Sequence, residues 1–410
     1  MILKQEIIAR ANELQLLPTT VEKDYALSWA LYGISQNTEL SKWLFKGGTC
    51  LKKCYFETYR FSEDLDFTVQ KDAIYSVNDI KNALNEVADL VYDTAGINIK
   101  TREIEVNESI NKRNNKTYIA KLTYLGPLNI PSRSQQRIKF DISNDEIIID
   151  TPDIRNVFHP FTDAPNPSVK MRCYSVNEIL AEKTRAIYER QGRARDIYDI
   201  VNISRNFREN VNPNIARTGL NKKFDFIGMP NPSVESIISQ IDFKQLKAGW
   251  DDQLRHQLEV LAPVESFYSD LRPALSWWID EHRTEPTLAT ISNKSNEMTL
   301  PRVHFPATTL QRATRLGIGQ NVGATCSKHI DQIRYAARNR LFLEIEYHGI
   351  TRLTEPYSLR QPKTGNQLLY VYELTQGMSR TDGIKSYKIN EITNVRVTEQ
   401  SFTPRYAIEL

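Results

Sequence analysis

The chain has little cysteine, little histidine and no long apolar run. Its four cysteines are spread over 410 residues: Cys50 and Cys54 stand one helical turn apart, and Cys173 and Cys326 are isolated. This pattern supplies neither a disulfide framework nor the spacing of a zinc site, so the thiols read as buried or idle in a reducing compartment. The six histidines are scattered without an H-x-x-x-H pair, which argues against a zinc enzyme. No uninterrupted apolar stretch is long enough to cross a bilayer, and Met1-Ile2-Leu3-Lys4-Gln5-Glu6 lacks the charged-then-apolar order of a signal peptide. A cytoplasmic protein without a membrane partner is expected. The net charge of +3 is too small to announce a nucleic-acid binder by itself, though it leaves room for a local basic surface.

What is present is length and pattern. A chain of 410 residues exceeds a typical single core, so two or three domains are expected. Apolar periodicity predicts an opening helix over Leu3 to Leu16. Pro18-Thr19-Thr20-Val21-Glu22 then has the form of a capping box, with Thr19 and Glu22 starting a second helix and Glu22-Lys23-Asp24 as its solvated first turn. Gly47-Gly48 breaks the pattern, because paired glycines adopt backbone angles other residues avoid and let a phosphate approach the main chain. The following Thr49 to Phe56 reads as a helix, whose free N–H groups would face that phosphate. A simple tight turn gives the same local sequence.

In a strand over Asp64-Leu65-Asp66-Phe67-Thr68, both carboxylates point one way and Leu65 and Phe67 the other. Such a pair suits Mg²⁺ or Mn²⁺, which favour hard oxygen ligands; a solvated sheet face looks the same. Arg137 to Ser143 repeats the pattern, with Ile138, Phe140 and Ile142 inward and Asp141 on the polar side as a third carboxylate if the strands are neighbours. Between them, Asp79 to Ala95 reads as helix, Ile97 to Glu105 and Lys116 to Leu125 as strands, and Asn107 to Asn115 as a polar connection, which is an α+β layout. In the helix from Ser175 to Ile187, Lys183 lies on the apolar stripe of Ile179, Leu180 and Ile187, and must snorkel or find an anion. Asp196 opens another helix, as its N-cap or as a functional acid.

Together Glu22-Lys23-Asp24-Tyr25, Phe45-Lys46-Gly47-Gly48-Thr49, Arg60-Phe61-Ser62-Glu63-Asp64-Leu65-Asp66, Glu182-Lys183 and Arg195-Asp196-Ile197-Tyr198-Asp199 resemble, in order, the motifs of AbiEii/AbiGii-type nucleotidyltransferase toxins. The resemblance runs from near the N-terminus to about Asn206 and implies a minimal polymerase-β-like nucleotidyltransferase core. It implies that Asp64 and Asp66 hold the divalent metal, with Asp141 a less secure third ligand. Ser62 and Gly47-Gly48-Thr49 would contact the triphosphate, Lys183 would neutralise phosphate charge, and Asp196 would be an essential acidic partner. Gly48 stands where the broader superfamily usually has serine.

Residues 1–206 are thus expected to form the nucleotidyltransferase core, 207–282 a helical subdomain, and the Thr/Ser/Asn/Pro-rich 283–309 a linker. A helix at Ile333 to Arg340 followed by short strands at Leu343 to Tyr347, Thr354 to Leu359, Gln367 to Tyr372 and Lys385 to Ile389 resembles a WYL domain, implying a small Sm-like β-barrel over 310–410. The Trp-Tyr-Leu triplet itself is replaced near Leu369-Tyr370-Val371. From Pro301 onward fifteen Lys/Arg, Arg352, Arg360, Lys385 and Lys388 among them, face nine Asp/Glu, so this segment could touch nucleic acid or simply be a solvated surface.

The expected function is transfer of NMP from an NTP to an RNA acceptor, tRNA first among them, with a protein hydroxyl as the other acceptor class. A toxin-antitoxin or phage abortive-infection setting implies a separately encoded antitoxin. A nucleotide-sensing regulator with a non-catalytic core would retain the same motifs, whereas a metal-dependent nuclease would leave the glycine turn and Lys183 without a role.

Overall fold

The first sheet has seven strands: β1 (Leu44–Lys46), β2 (Asp64–Thr68), β3 (Glu105–Ile110), β4 (Lys116–Thr123), β5 (Arg137–Ser143), β6 (Asp153–Asn156) and β7 (Lys170–Cys173). They form one sheet in the order β3-β4-β5-β2-β1-β7-β6. The pairs β2/β5 and β1/β7 are parallel and the others antiparallel. This mixed sheet, with the helices below, is the α+β class expected. In β2 and β5 the apolar positions Leu65, Phe67, Ile138, Phe140 and Ile142 are all buried. Phe67 meets Phe45 at 5.3 Å and Trp43 at 5.6 Å between ring centroids, and each such side chain contributes roughly 1.5–3 kcal/mol by leaving water.

The computed structural model describes residues 1–56, 59–70, 73–111, 113–280, 288–291, 298–299, 322–361 and 367–410. They divide into two compact units. The first comprises Met1–Gln191, Glu209–Gln240 and His256–Glu259, and the second Gly192–Arg208, Ile241–Arg255 and Val260–Leu410. In chain order the helices are α1 (Lys4–Glu13), α2 (Pro18–Gln36), α3 (Gly47–Cys50), α4 (Val77–Ala95), α5 (Val176–Glu189), α6 (Ala194–Asn206), α7 (Pro213–Phe226), α8 (Val234–Ser239), α9 (Phe243–Leu254), α10 (Val264–Ile279) and α11 (Val322–Asn339). Among the described residues no helix is long and apolar enough to cross a membrane.

In the first unit α2 packs against α4 and reaches β5 and β7. Serine caps set two starts: Ser76 Oγ accepts from the Asp79 N–H at 3.2 Å at α4, and Ser175 Oγ from Glu178 N–H at 3.1 Å at α5. These satisfy helix-end donors that would otherwise lack partners.

Several expectations are corrected. α2 begins at Pro18 with Leu17 as N-cap and no side-chain cap, so Thr19 and Glu22 form no capping box. Nor is the first turn solvated: Glu22 and Asp24 are buried, Glu22 accepting from Leu128 N–H at 2.6 Å and Asp24 pairing with buried Lys53 at 2.6 Å. Ile97 to Ile104 is not a strand; Ile97, Ile99 and Ile104 are buried while the backbone makes a single bridge, Asn98 to Leu125. Strand β3 instead occupies Glu105–Ile110, reaching into the expected polar connection of Asn107 to Asn115, held by its ladder with β4. Thr49 to Phe56 is not one helix: α3 gives way to a π turn at Leu51–Tyr55.

The second unit holds α6, α9, α10 and α11 with a second sheet of β8 (Met298–Thr299), β9 (Leu341–Tyr347), β10 (Ile350–Gln361), β11 (Leu368–Gln376), β12 (Ser379–Lys388) and β13 (Ile392–Ser401). Its path is β12-β11-β10-β9-β13, with β8 added on β10. No pairing joins β12 to β13 among the described residues, so the expected barrel is not seen closed. Tyr357, Tyr370, Phe402 and Ile291 form an apolar cluster there. Of the basic residues singled out, Arg352 pairs with Glu373 at 3.3 Å, Arg360 with Glu409 at 2.6 Å and Lys388 with Glu391 at 2.8 Å, which removes much of their charge from any nucleic-acid surface. The expected linker over 283–309 lies outside the described residues apart from 288–291 and 298–299.

Candidate active site

Three neighbouring strands put their polar residues in one row. Asp66 of β2 is the register partner of Asp141 in parallel β5 and of Lys46 in antiparallel β1; Asp64 is the partner of Lys139. Adjacent strands lie about 4.8 Å apart, so this register makes the side chains interact. Burial first, and then the Asp141 charge, push the Asp66 carboxyl up to about 6, against the pull of Lys46 and Lys183. The Lys139 ammonium donates to Asp141 Oδ2 at 2.7 Å; burial opposes its charge, but Asp141, Asp64 and Asp66 raise its pKa.

The predicted Asp64, Asp66, Asp141 and Lys183 therefore belong to one electrostatic neighbourhood. Lys183 is buried on α5, as its place on the apolar stripe requires. The donor set fits a hard divalent cation: three carboxylates crowd one face, and burial, followed by the neighbouring Asp141 charge, makes the ionised Asp66 costly in a way such a cation offsets. They do not converge on one point, however. Among the described residues the one trio of potential ligands whose donor atoms all lie within 4.8 Å of one another is Cys50, Cys54 and Cys173.

The glycine turn sits against this row. Gly47 has φ +77°, and a Cβ there would stand 2.2 Å from Asp66 Oδ2. At Gly48 a Cβ would stand 2.7 Å from an Arg60 guanidinium nitrogen and 3.2 Å from Ser62 Oγ. Both glycines thus let the main chain approach groups a side chain would displace. Thr49 Oγ1 donates to the Asp64 carbonyl, tying the turn to β2.

Asp196 belongs to the second unit. It is buried in the first turn of α6, where Arg193 is the N-cap, so Asp196 is not the cap.

Sequence reasoning missed the ions beneath the row. Lys46 Nζ donates to Glu182 Oε1 at 2.9 Å and lies 3.6 Å from Glu146 Oε1, and Glu146 pairs with Arg185 at 3.2 Å. Burial alone would raise Glu182, but Lys46, Lys223 and Arg185 hold it down to about 2. Arg60, buried beside Gly48, donates to Gln257 Oε1 at 2.7 Å. The available signal was a lysine directly before Gly-Gly and a glutamate directly before Lys183. A cavity of about 420 Å³ in this unit is lined by Arg113, Tyr188, Glu189, Gln191, Ile227, Met229 and Gln240, and by none of these groups.

Among solved structures, MenT4, a nucleotidyltransferase toxin from Mycobacterium tuberculosis H37Rv, is similar over 68% of this chain and 88% of its own, at 19% identity and a TM-score of 0.48. A comparison with curated proteins returns no match. The profile of the family described as Nucleotidyl transferase AbiEii toxin, Type IV TA system, matches residues 29–281, a span that contains β1, β2, β5, α5 and α6, and the chain belongs to that family of nucleotidyltransferase toxins.

Proposed function

We propose that the chain transfers a nucleoside monophosphate from an NTP to an RNA acceptor, tRNA first among candidates, with Mg²⁺ or Mn²⁺ at Asp64, Asp66 and Asp141. The observation that carries this reading is the register of Asp66 with both Asp141 and Lys46, beside a glycine turn that admits no side chain at Gly47. A divalent cation on these carboxylates would neutralise charge developing on the α-phosphate and the leaving pyrophosphate. Gly47, Gly48, Thr49 and Ser62 line the approach for the triphosphate, and Lys183 adds a fixed positive charge. The acceptor oxygen bonds to the α-phosphorus as the bond to the bridging oxygen breaks, and the hydroxyl proton passes to a nearby carboxylate. Asp196 is the further acidic partner in this reading, and residues 310–410 a WYL-like accessory region. In a type IV toxin-antitoxin setting, with phage defence as its use, a separate antitoxin is the partner and the cytoplasm the place of action.

The test is incubation of the full chain with each α-labelled NTP, Mg²⁺ and total RNA or protein. Label on RNA supports the proposal, and label on protein moves the acceptor to that class. RNA shortening without NTP refutes it in favour of a nuclease.

A further inference from the structure

Two thiols one helical turn apart and a third distant in sequence meet in the first unit. Cys50 ends α3, Cys54 lies in the π turn at Leu51–Tyr55, and Cys173 ends β7, where it is the register partner of Phe45 in β1. All three are free and at most 2% exposed, and their sulfurs lie within 4.8 Å of one another. Sequence spacing gave Cys173 no partner; the parallel β1/β7 pair supplies two.

The surroundings suit a thiolate cluster. Arg155 Nε donates to the Cys54 carbonyl at 3.4 Å, and its guanidinium stands 4.5 Å over the Tyr55 ring. Lys53, next in sequence to Cys54, is buried with Asp24.

We propose that Cys50, Cys54 and Cys173 form a buried site for one soft d¹⁰ cation, Cu⁺ or Zn²⁺, that fastens α3 to β7 behind the glycine turn. Thiolate sulfur selects these ions over Mg²⁺. Three ligands make a trigonal site that suits Cu⁺; Zn²⁺ completes its usual four-coordinate shell with one further donor. Each thiol that becomes a ligand releases its proton to solvent as the sulfur–metal bond forms. Because the cation binds the folded chain, it raises thermal stability by mass action.

The full-length chain, reduced and stripped with a chelator, is titrated anaerobically with Co²⁺ as the probe for Zn²⁺ and with Cu⁺ against a chromophoric Cu⁺ chelator. The expected result is one equivalent bound, with a thiolate-to-cobalt charge-transfer band or withdrawal of Cu⁺ from the chelator, and a rise in Tm. Both should be lost in Cys50→Ala and Cys173→Ala and kept in Cys326→Ala. X-ray absorption at the metal edge of the wild-type chain needs no variant and should count three sulfur neighbours. Failure to bind either probe, binding that survives both alanine substitutions, a nitrogen and oxygen shell, or loss of two thiols to a disulfide without metal each overturns the proposal.

Discussion

Replacing Gly47 with alanine tests the closeness of the turn to the carboxylate row. The new Cβ would lie 2.2 Å from Asp66 Oδ2 and 3.0 Å from its Cγ, at a residue whose φ is +77°. The left-handed backbone costs roughly 1–2 kcal/mol for any residue with a Cβ. Relief of the clash requires Asp66 to swing off its rotamer, at about 0.5–1.5 kcal/mol. The first cost is independent of Asp66 and the second is not, so a cycle of Gly47→Ala, Asp66→Ala and the double variant separates them. Native-state hydrogen exchange of the β1 and β2 amides is the suitable assay, because two units need not unfold as one. The cycle should leave a coupling of about 0.5–1.5 kcal/mol, with the backbone cost retained in the double variant. Additivity within about 0.5 kcal/mol, or a cost-free Gly47→Ala, refutes the reasoning. Gly48→Ala is the control: Gly48 has no positive φ, and the nearest atoms its Cβ would meet, 2.7 Å and 3.2 Å away, are the ends of the Arg60 and Ser62 side chains, so its effect should be smaller.

Asp64→Ala or Lys183→Ala should abolish label transfer and leave the circular dichroism spectrum unchanged; full transfer by both variants rules out the site. Asp66 is held at about 6, above the ordinary 3.8, so the folded chain keeps a proton that the unfolded chain has lost between those values. Without metal, its contribution to stability should therefore fall as pH rises through that window, while Mg²⁺ affinity rises; melting with and without Mg²⁺ on either side of pH 6 reads both, and a pH-independent Mg²⁺ effect contradicts the assignment. Lys223→Met leaves the Glu178 charge with only the Ile149 and Asp150 N–H donors, removing an ammonium 2.5 Å from its carboxylate in a pair whose side chains are both at most 1% exposed. A loss of about 3–5 kcal/mol is expected, with substantial recovery in Lys223→Met/Glu178→Leu; equal melting of wild type and single variant would contradict it.

The legible parts were those with a local rhythm. β5 occupies the expected Arg137 to Ser143, and α5 starts after Ser175 because serine capping and an apolar stripe are encoded within a few residues. β1 could not be read, since its three residues are all buried and present no alternation. Ile97 to Ile104 misled because buried isoleucines need neither a ladder nor a strand. The carboxylate row was half legible: β2 and β5 each showed a polar face, but their adjacency is a matter of topology. Lys46 and Glu182 are 136 positions apart, and a contact at that range leaves no periodic trace. The meeting of Cys173 with Cys50 and Cys54 escaped for the same reason.

The row that joins Lys46, Asp66 and Asp141 also limits how chain length can vary. Deleting one residue inside β2 or β5 turns every later side chain to the other face. Deleting two restores the face but moves the carboxylate by about 6.6 Å along the strand, out of reach of its neighbours. Insertions and deletions are therefore tolerable in exposed segments that leave the sheet, such as 131–134 between β4 and β5, while β1, β2 and β5 can change residue type but not residue number.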